Sequence, residues 1–278
     1  MSDSSIKKLI QHTPQWLLFI VALCYESLVL LRLSLYQRGL LKTYRSRKVV
    51  ISVGNINAGG SGKTPVVDYL AQLLETSQYS FAILSRGYRR KSCATVQRFK
   101  KNERLPMSAE VFGDEPYLLA SKHPEVPVYV GRFRALSAQL AEAMDDPQFL
   151  LLDDAYQHLA IHRDLNLLLI DAAWDPSSTQ VLPLGDLREP EHHWNRADAI
   201  LITRSNLGFS DRTRHYLSQT LQVSCPVFSF DYLPQNMIRL DQQKQQSCDA
   251  LSGKKVLLLC GIAHPKSFTL MVEQCGAE

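Results

Sequence analysis

The chain has little that would staple, repeat or strongly charge it. Its six cysteines, Cys24, Cys93, Cys225, Cys248, Cys260 and Cys275, are widely spread and include no C-x-x-C pair. That spacing argues against a disulfide framework or a structural zinc site, and for reduced thiols in a cytosolic compartment. There is no internal repeat and no long low-complexity tract; Asp241 to Gln246 reads as a short polar loop. Charge of one sign is also scarce. Against 27 Asp and Glu stand 31 Lys and Arg, a net +4, which gives no reason to expect a nucleic-acid partner. With 45% apolar and 21% charged residues the composition is that of a globular protein, and 278 residues suffice for one large or two modest domains.

What is present begins with Val49-Val50-Ile51-Ser52-Val53-Gly54-Asn55-Ile56-Asn57-Ala58-Gly59-Gly60-Ser61-Gly62-Lys63-Thr64-Pro65. An apolar, β-branched run feeds a glycine-rich turn ending in Gly-Lys-Thr, and a helical pattern follows. Glycines let the backbone wrap a polyphosphate closely with N–H groups pointing inward. The helix N-terminus and Lys63 add positive charge, and Thr64 offers a hydroxyl to Mg²⁺. The strict pattern G-x-x-x-x-G-K-[ST] is not met, because its first position falls on Asn57. GGSGKT directly after an apolar strand nonetheless argues for a nucleoside triphosphate over a turn without function.

Trp16 to Leu31 is nearly all apolar, interrupted by Glu26 and Ser27. As a helix this run reaches about 24 Å, short of the roughly 30 Å hydrocarbon layer. Gln15, Glu26 and Gln37 recur every eleven residues and give one face partial polarity. A helix lying in or dipping into one leaflet fits better than a full span. A cleaved signal peptide would need a small-residue cleavage site, where Arg32, Tyr36 and Arg38 stand. A buried core helix is the other alternative. Arg38, Lys42, Arg45, Arg47 and Lys48 follow directly and suit an anionic cytoplasmic membrane surface.

From Val49 onward short apolar runs alternate with helical patterns. Strands are expected at Phe81 to Leu84, Val126 to Val130, Phe149 to Leu152, Leu165 to Ile170 and Ala199 to Ile202. Helices are expected at about Lys63 to Glu75, Asp114 to Ser121 and Arg134 to Met144. Near-continuous apolar strands separated by helices predict a parallel sheet covered on both faces. The expected organisation is an N-terminal membrane-associating helix and basic stretch (1–47), a phosphate-loop core (48–230) and a smaller C-terminal α/β unit (231–278). In that last unit Val256 to Cys260 reads as a strand and Pro265 to Gln274 as a helix, with Gly276 at its C-cap. A strand and helix without a returning strand are half of a crossover unit, so this unit is expected to be incomplete.

Several residues could carry chemistry. Phe149-Leu-Leu-Leu-Asp153-Asp154 ends in two carboxylates where phosphate-loop enzymes hold Mg²⁺; Leu167-Leu-Leu-Ile-Asp171 has the same shape and is a rival. Gly113-Asp114-Glu115-Pro116 opens a helix, where first-turn acids need no functional explanation. A phosphoryl transferase does need a carboxylate to accept the proton of the attacking hydroxyl, and Asp114 is a candidate. Ser85-Arg86-Gly87-Tyr88-Arg89-Arg90-Lys91 follows a strand end and suits an anionic substrate, or is a solvated loop. His158 and His162, with Asp154 and Asp164 nearby, invite a metal reading but lack H-E-x-x-H. His192-His193 reads most simply as surface.

An ordered series of segments resembles the tetraacyldisaccharide 4'-kinase (lipid A 4'-kinase) family. After the apolar helix come VGNINAGGSGKTP, LSRGYRRK, GDEPYLLA, VGRFRALSA, LLDDAYQHLAIHRDLNLLLIDA, LPLGDLREP, RADAILITR and CGIAHPKSF, spanning about Trp16 to Phe268. The resemblance implies a P-loop NTPase-like α/β fold. It also implies Mg²⁺-dependent transfer of the ATP γ-phosphate to the 4'-hydroxyl of a tetraacylated glucosamine disaccharide 1-phosphate, giving lipid IVA at the cytoplasmic face of the inner membrane. Asn57, Ala58, Gly59, Gly60, Ser61, Gly62, Lys63 and Thr64 would cradle ATP. Asp114 would act as base, with Lys63, Asp154 and His158 also in the catalytic machinery. Thr64, Glu115 and Asp153 would face the metal, and Arg86, Arg134 and Gln157 the substrate. Three departures stand out. Ala155-Tyr156 replaces Gly-Phe, and Asp186 stands where a small residue or Pro is usual. The family's F-P-D-H-H-like motif, whose histidine pairs with the GDE aspartate, is absent from this sequence, and His264 is not its equivalent. Two alternatives from other classes are a membrane-associated regulatory P-loop ATPase and a catalytically dead, truncated kinase homologue. Regulatory ATPases of that type usually carry a second lysine where Ala58 stands.

Overall fold

The computed structural model describes residues 13–87, 90, 94–100, 108–175, 179–207, 210–239, 241, 244–262 and 265–278. The β-branched run becomes strand β1 (Val49–Asn55), which lies inside an eight-stranded sheet. Its other strands are β2 (Phe81–Ser85), β3 (Val96–Phe99), β4 (Val128–Gly131), β5 (Phe149–Asp153), β6 (Leu165–Asp171), β7 (Ala199–Thr203) and β8 (Val227–Phe230). The order is β3-β4-β2-β5-β1-β6-β7-β8, and every pairing is parallel except β3 with β4.

Alternate residues of the central strands enter different cores, as the two-residue repeat requires. Val53, Ile83 and Leu151 pack with Val66, Val67 and Ala71 of helix α2 (Lys63–Thr76). Val50, Ala82, Leu84, Leu150 and Leu152 face the opposite way, against Ala138 and Ala141 of helix α5 (Arg134–Met144). Between them in sequence lie a short helix α3 (Ala109–Phe112) and α4 (Asp114–Lys122), whose Leu119 and Ala120 join the α2 side. The expected two-sided parallel sheet is present. Strands β3 and β8 escaped the sequence because they are short edge elements; β8 has an exposed Phe228 and no fully buried residue.

The N-terminal helix α1 (Gln15–Gln37) runs 23 residues, about 35 Å, and so is long and apolar enough to cross a membrane. The sequence estimate of its length was too short because the helix continues through Arg32, Ser34 and Gln37. Ala22 is its only buried residue, which excludes a core helix. Trp16, Phe19, Ile20, Leu23, Leu28 and Leu31 are exposed. The opposite face touches the core at polar points: Tyr25 Oη donates to Arg188 O at 2.7 Å and Arg32 Nη2 to Gln157 O at 3.3 Å. Part of the basic stretch is drawn to the core, with Arg47 paired to Glu142 and Lys48 to Asp146. Arg38 and Lys42 are exposed.

Beyond β8 the architecture differs from expectation. Val256 to Cys260 forms no strand, and Leu257 and Leu259 are 88% and 86% exposed. An apolar run makes a strand only where a neighbouring strand takes up its backbone hydrogen bonds, and none does so here among the described residues. The strands of this region are instead an antiparallel hairpin, β9 (Asn236–Arg239) with β10 (Lys244–Ser247), so the polar stretch Asp241 to Gln246 is partly strand. Helix α6 (Ser210–His215) precedes β8, and α7 (Pro265–Gln274) forms as expected, with Gly276 at φ +81°.

Candidate active site

The phosphate loop leaves the carboxyl end of β1 and enters α2 at Lys63. Gly62 adopts φ +72°, and a Cβ there would collide with the Tyr232 hydroxyl, so both conformation and space call for glycine. Lys63 Nζ lies 3.1 Å from Asn55 Oδ1 and 3.5 Å from Asp154 Oδ1. Ala58 N–H donates to Asp186 O at 2.5 Å, and Asn57 Nδ2 lies 3.5 Å from Asp186 Oδ2. Two oddities of the sequence, Asn57 for glycine and Asp186 in LPLGDLREP, are thus partners in one contact. A cavity lined by Asn57, Gly59, Gly60, Asp171, Trp174 and Asp186 flanks the loop.

Beside it, β5 ends on Asp153, which is 1% exposed. Its Oδ2 accepts from Ser85 Oγ at 3.1 Å, while Oδ1 is buried without a hydrogen-bond partner. Burial, then the charges of Glu115 and Asp154, push this carboxyl up to about 7 against the pull of Arg134 and Lys63. Asp154 sits at φ +47°. Burial works against its ionisation, but Lys63 and Arg188 together hold its carboxyl below the usual range, Arg188 Nη1 lying 3.1 Å away. Glu115 in the first turn of α4 has its carboxyl raised by partial burial, with Lys63 opposing and Asp154 and Asp114 adding to the rise. Asp114 beside it is exposed.

These acids fit a divalent cation. An unpartnered buried oxygen on Asp153 and a mutually repelling set of carboxylates are what a cation would relieve. Among the described residues no three acids, histidines or cysteines converge tightly enough to hold a metal alone. That suits Mg²⁺, which keeps waters and takes phosphate oxygens alongside one or two carboxylates. The rival acid Asp171 is engaged elsewhere, in a buried ion pair with Arg204.

Arg134, 2% exposed, donates from Nη1 to Gly131 O and from Nη2 to Asp153 O, both at 2.8 Å. Burial pulls its guanidinium down to about 10. It therefore braces the acid strand from behind. Gln157 Nε2 donates to Asn55 O at 2.8 Å, linking the DDAYQH segment to the end of β1. His158 is pulled down to about 3, by burial first and by Arg134 second, and is a neutral imidazole at physiological pH. His162 lies 3.4 Å from Arg45 and 3.7 Å from Asp164, apart from that role. Arg86 is exposed at the end of β2, close enough for its charge to act on Arg134 and His158. Tyr88, Arg89, Lys91 and His264 lie outside the described residues.

The sequence reading placed both His192 and His193 at the surface, which holds for only one of them. His193 is 3% exposed and its Nδ1 lies 2.7 Å from Glu189 Oε2, which Arg196 also grips at 2.6 Å. Residues overlooked in the sequence include Asn55, which contacts Lys63, and Arg188 of LREP, which contacts Asp154. Both stand in segments that carry the resemblance, but spacing marks neither role: Asn55 lies eight residues before Lys63 and Arg188 34 residues after Asp154.

The family model described as tetraacyldisaccharide-1-P 4'-kinase matches residues 14–278. A relative from Desulfotalea psychrophila, named tetraacyldisaccharide 4'-kinase, is 39% identical over 259 residues, covering 91% of this chain and 72% of its own length. One of the same name from Desulfatibacillum aliphaticivorans is 39% identical over 261 residues, covering 90% and 68%. Among solved structures, LpxK from Aquifex aeolicus in complex with ATP matches with a TM-score of 0.75 at 33% identity, covering 94% of this chain and 78% of that one.

Proposed function

This chain belongs to the tetraacyldisaccharide-1-P 4'-kinase family, and from that premise we propose how its residues carry the reaction. The protein is an ATP-dependent kinase of the 4'-hydroxyl of tetraacyldisaccharide 1-phosphate. The observation that carries the residue assignment is the meeting of three segments at the carboxyl edge of the sheet. Lys63, the Asp153–Asp154 pair and the first turn of α4 lie near enough for their charges to shift one another.

Lys63 and the amides of the Asn57 to Thr64 loop, apart from those of Ala58 and Ser61, which donate to Asp186 O and Gly59 O, hold the β- and γ-phosphates. Thr64, Asp153 and Glu115 would hold Mg²⁺, which when bound neutralises charge on the phosphates. Asp154 restrains Lys63 through their 3.5 Å ion pair. Asp114, open to solvent at the start of α4, orients the sugar hydroxyl and accepts its proton. His158 stays neutral and serves as a hydrogen-bonding group near the acceptor. Arg134 acts through Asp153 as a positioning residue, while Arg86 and Gln157 face the disaccharide.

The exposed apolar face of α1 supports association with the cytoplasmic face of the inner membrane, so that a substrate with acyl chains in the bilayer reaches the site. Exposed Arg38 and Lys42 favour an anionic surface. The test is incubation of the purified chain with γ-labelled ATP, Mg²⁺ and the disaccharide 1-phosphate in detergent. Labelled lipid is the expected product; a folded, ATP-binding chain that labels none would overturn the reading.

A further inference from the structure

Three consecutive carbonyl oxygens of the phosphate loop accept hydrogen bonds from side chains that lie outside it. Gly60 O accepts from Arg204 Nη2 at 2.5 Å, Ser61 O from Thr203 Oγ1 at 3.0 Å, and Gly62 O from Tyr232 Oη at 2.8 Å. In a planar trans peptide the C=O of one residue and the N–H of the next point to opposite sides. Drawing these three carbonyls outward therefore turns the following N–H groups, of Ser61, Gly62 and Lys63, the other way. Ser61 N–H donates to Gly59 O at 3.2 Å, which tightens the turn and leaves the N–H groups of Gly62 and Lys63 as the ones a ligand would meet. An anion cradle needs N–H groups already aimed at the ligand, because orienting them on binding costs entropy.

The three donors are themselves fixed. Thr203 ends β7 and is fully buried, its hydroxyl also 3.3 Å from Ile170 O. Arg204 adopts φ +57°, a conformation a non-glycine residue holds only when its surroundings enforce it, and its guanidinium is locked on Asp171. Tyr232 is gripped through its backbone by Asn206: Nδ2 donates to Tyr232 O at 2.9 Å, and Tyr232 N–H donates to Asn206 Oδ1 at 3.2 Å. Its ring meets Phe230 edge-on with centroids 5.9 Å apart, and Phe230 meets Tyr69 of α2 at 5.3 Å. Burial pushes the Tyr232 phenol up to about 12, so it stays protonated and donates.

We propose that Thr203, Arg204 and Tyr232 form a carbonyl clamp that sets the geometry of the nucleotide loop, with Asn206 as the post that seats Tyr232. The clamp joins ATP affinity to the segment following β8, because Tyr232 enters the loop from there. All four are positioning residues: they act on the nucleotide through the loop backbone. The proposal rests on the loop being the ATP site, and it adds that the loop's pre-organisation is supplied from the β7 end and from residue 232.

The test uses the full chain and measures Mg·ATP affinity by calorimetry together with initial rates on the lipid disaccharide. Tyr232→Phe removes one hydroxyl and keeps the ring packing, and Asn206→Ala releases the Tyr232 backbone. Each is expected to raise the KM and Kd for ATP about three- to tenfold, the loss of one hydrogen bond's worth of ordering, while the KM for the disaccharide stays unchanged. Thr203→Val should behave likewise and Thr203→Ser should restore wild-type affinity. Wild-type ATP affinity in both Tyr232→Phe and Asn206→Ala would overturn the clamp. So would an equal loss of affinity for both substrates, which would make these residues structural supports only. Failure of the unaltered chain to bind ATP would instead remove the ATP-site reading, and the clamp with it.

Discussion

Arg134 grips Asp153 by its backbone and not by its carboxylate. The guanidinium donates to Asp153 O at 2.8 Å, and Asp153 Oδ1 is left buried and unpartnered. A direct ion pair would have occupied the acid; this arrangement fixes the end of β5 while leaving one carboxylate oxygen for a cation.

Asp153→Asn keeps the shape of the site and removes the charge. We expect kcat to fall about a hundredfold or more, the scale of losing one transition-state electrostatic contact, with Mg²⁺-free nucleotide binding retained. Titrating Mg²⁺ against rate checks this: the variant should lose its saturable Mg²⁺ response.

Arg134→Met should act through folding as well as catalysis. It leaves Gly131 O and Asp153 O without their buried donor, at a cost of about 1–3 kcal/mol each as an upper range. Denaturant unfolding should show a lower midpoint with unchanged slope.

The Asp153 carboxyl, raised to about 7 from an ordinary 3.8, gives a signed pH dependence. Because the folded value lies above the unfolded one, its stabilising effect is complete below about 3.8 and is lost as pH rises through about 7. The Mg²⁺-free protein should therefore lose thermal stability between those limits relative to Asp153→Asn. Mg²⁺ must displace the same proton, so half-saturating Mg²⁺ should rise as pH falls below 7, by up to about tenfold per unit. A flat Mg²⁺ requirement from pH 5.5 to 8 would contradict this.

His158, pulled down to about 3, should show no ring titration by NMR between pH 5 and 8. An inflection near 6.5 would mean that the imidazole is open to water and available as a proton carrier.

The apolar face of α1 should carry membrane association. Replacing exposed Ile20 and Leu31 by Glu removes about 1.5–3 kcal/mol of burial apiece. Vesicle co-sedimentation should drop at least about tenfold, while ATP affinity in detergent stays unchanged.

Much of this was legible in the sequence, for reasons the elements make plain. β1, β2, β5, β6 and β7 are apolar on both faces because both are covered, by helices over β1, β2 and β5 and on one side of β6 and β7 by Trp174, Val181, Leu187 and Trp194, so they stand out as continuous runs. The loop announces itself because glycine is required locally, as at Gly62. Val256 to Cys260 misled because an apolar run specifies a strand only with a neighbour to pair with. Arg188 on Asp154, and Thr203, Arg204 and Tyr232 on the loop, were invisible because such contacts are set by sheet order and not by spacing along the chain.

The central claim, transfer of the γ-phosphate to the sugar 4'-hydroxyl by way of Asp114, is tested most directly by ³¹P NMR of the lipid product from the unaltered chain and from Asp114→Ala. We predict a second phosphomonoester at the 4' position, beside an intact 1-phosphate, from the unaltered chain. Asp114→Ala should bind ATP normally and form that product at least about a hundredfold more slowly, the scale of general-base loss. Product formed equally fast by both chains, or a new phosphate at any other position, would contradict the account.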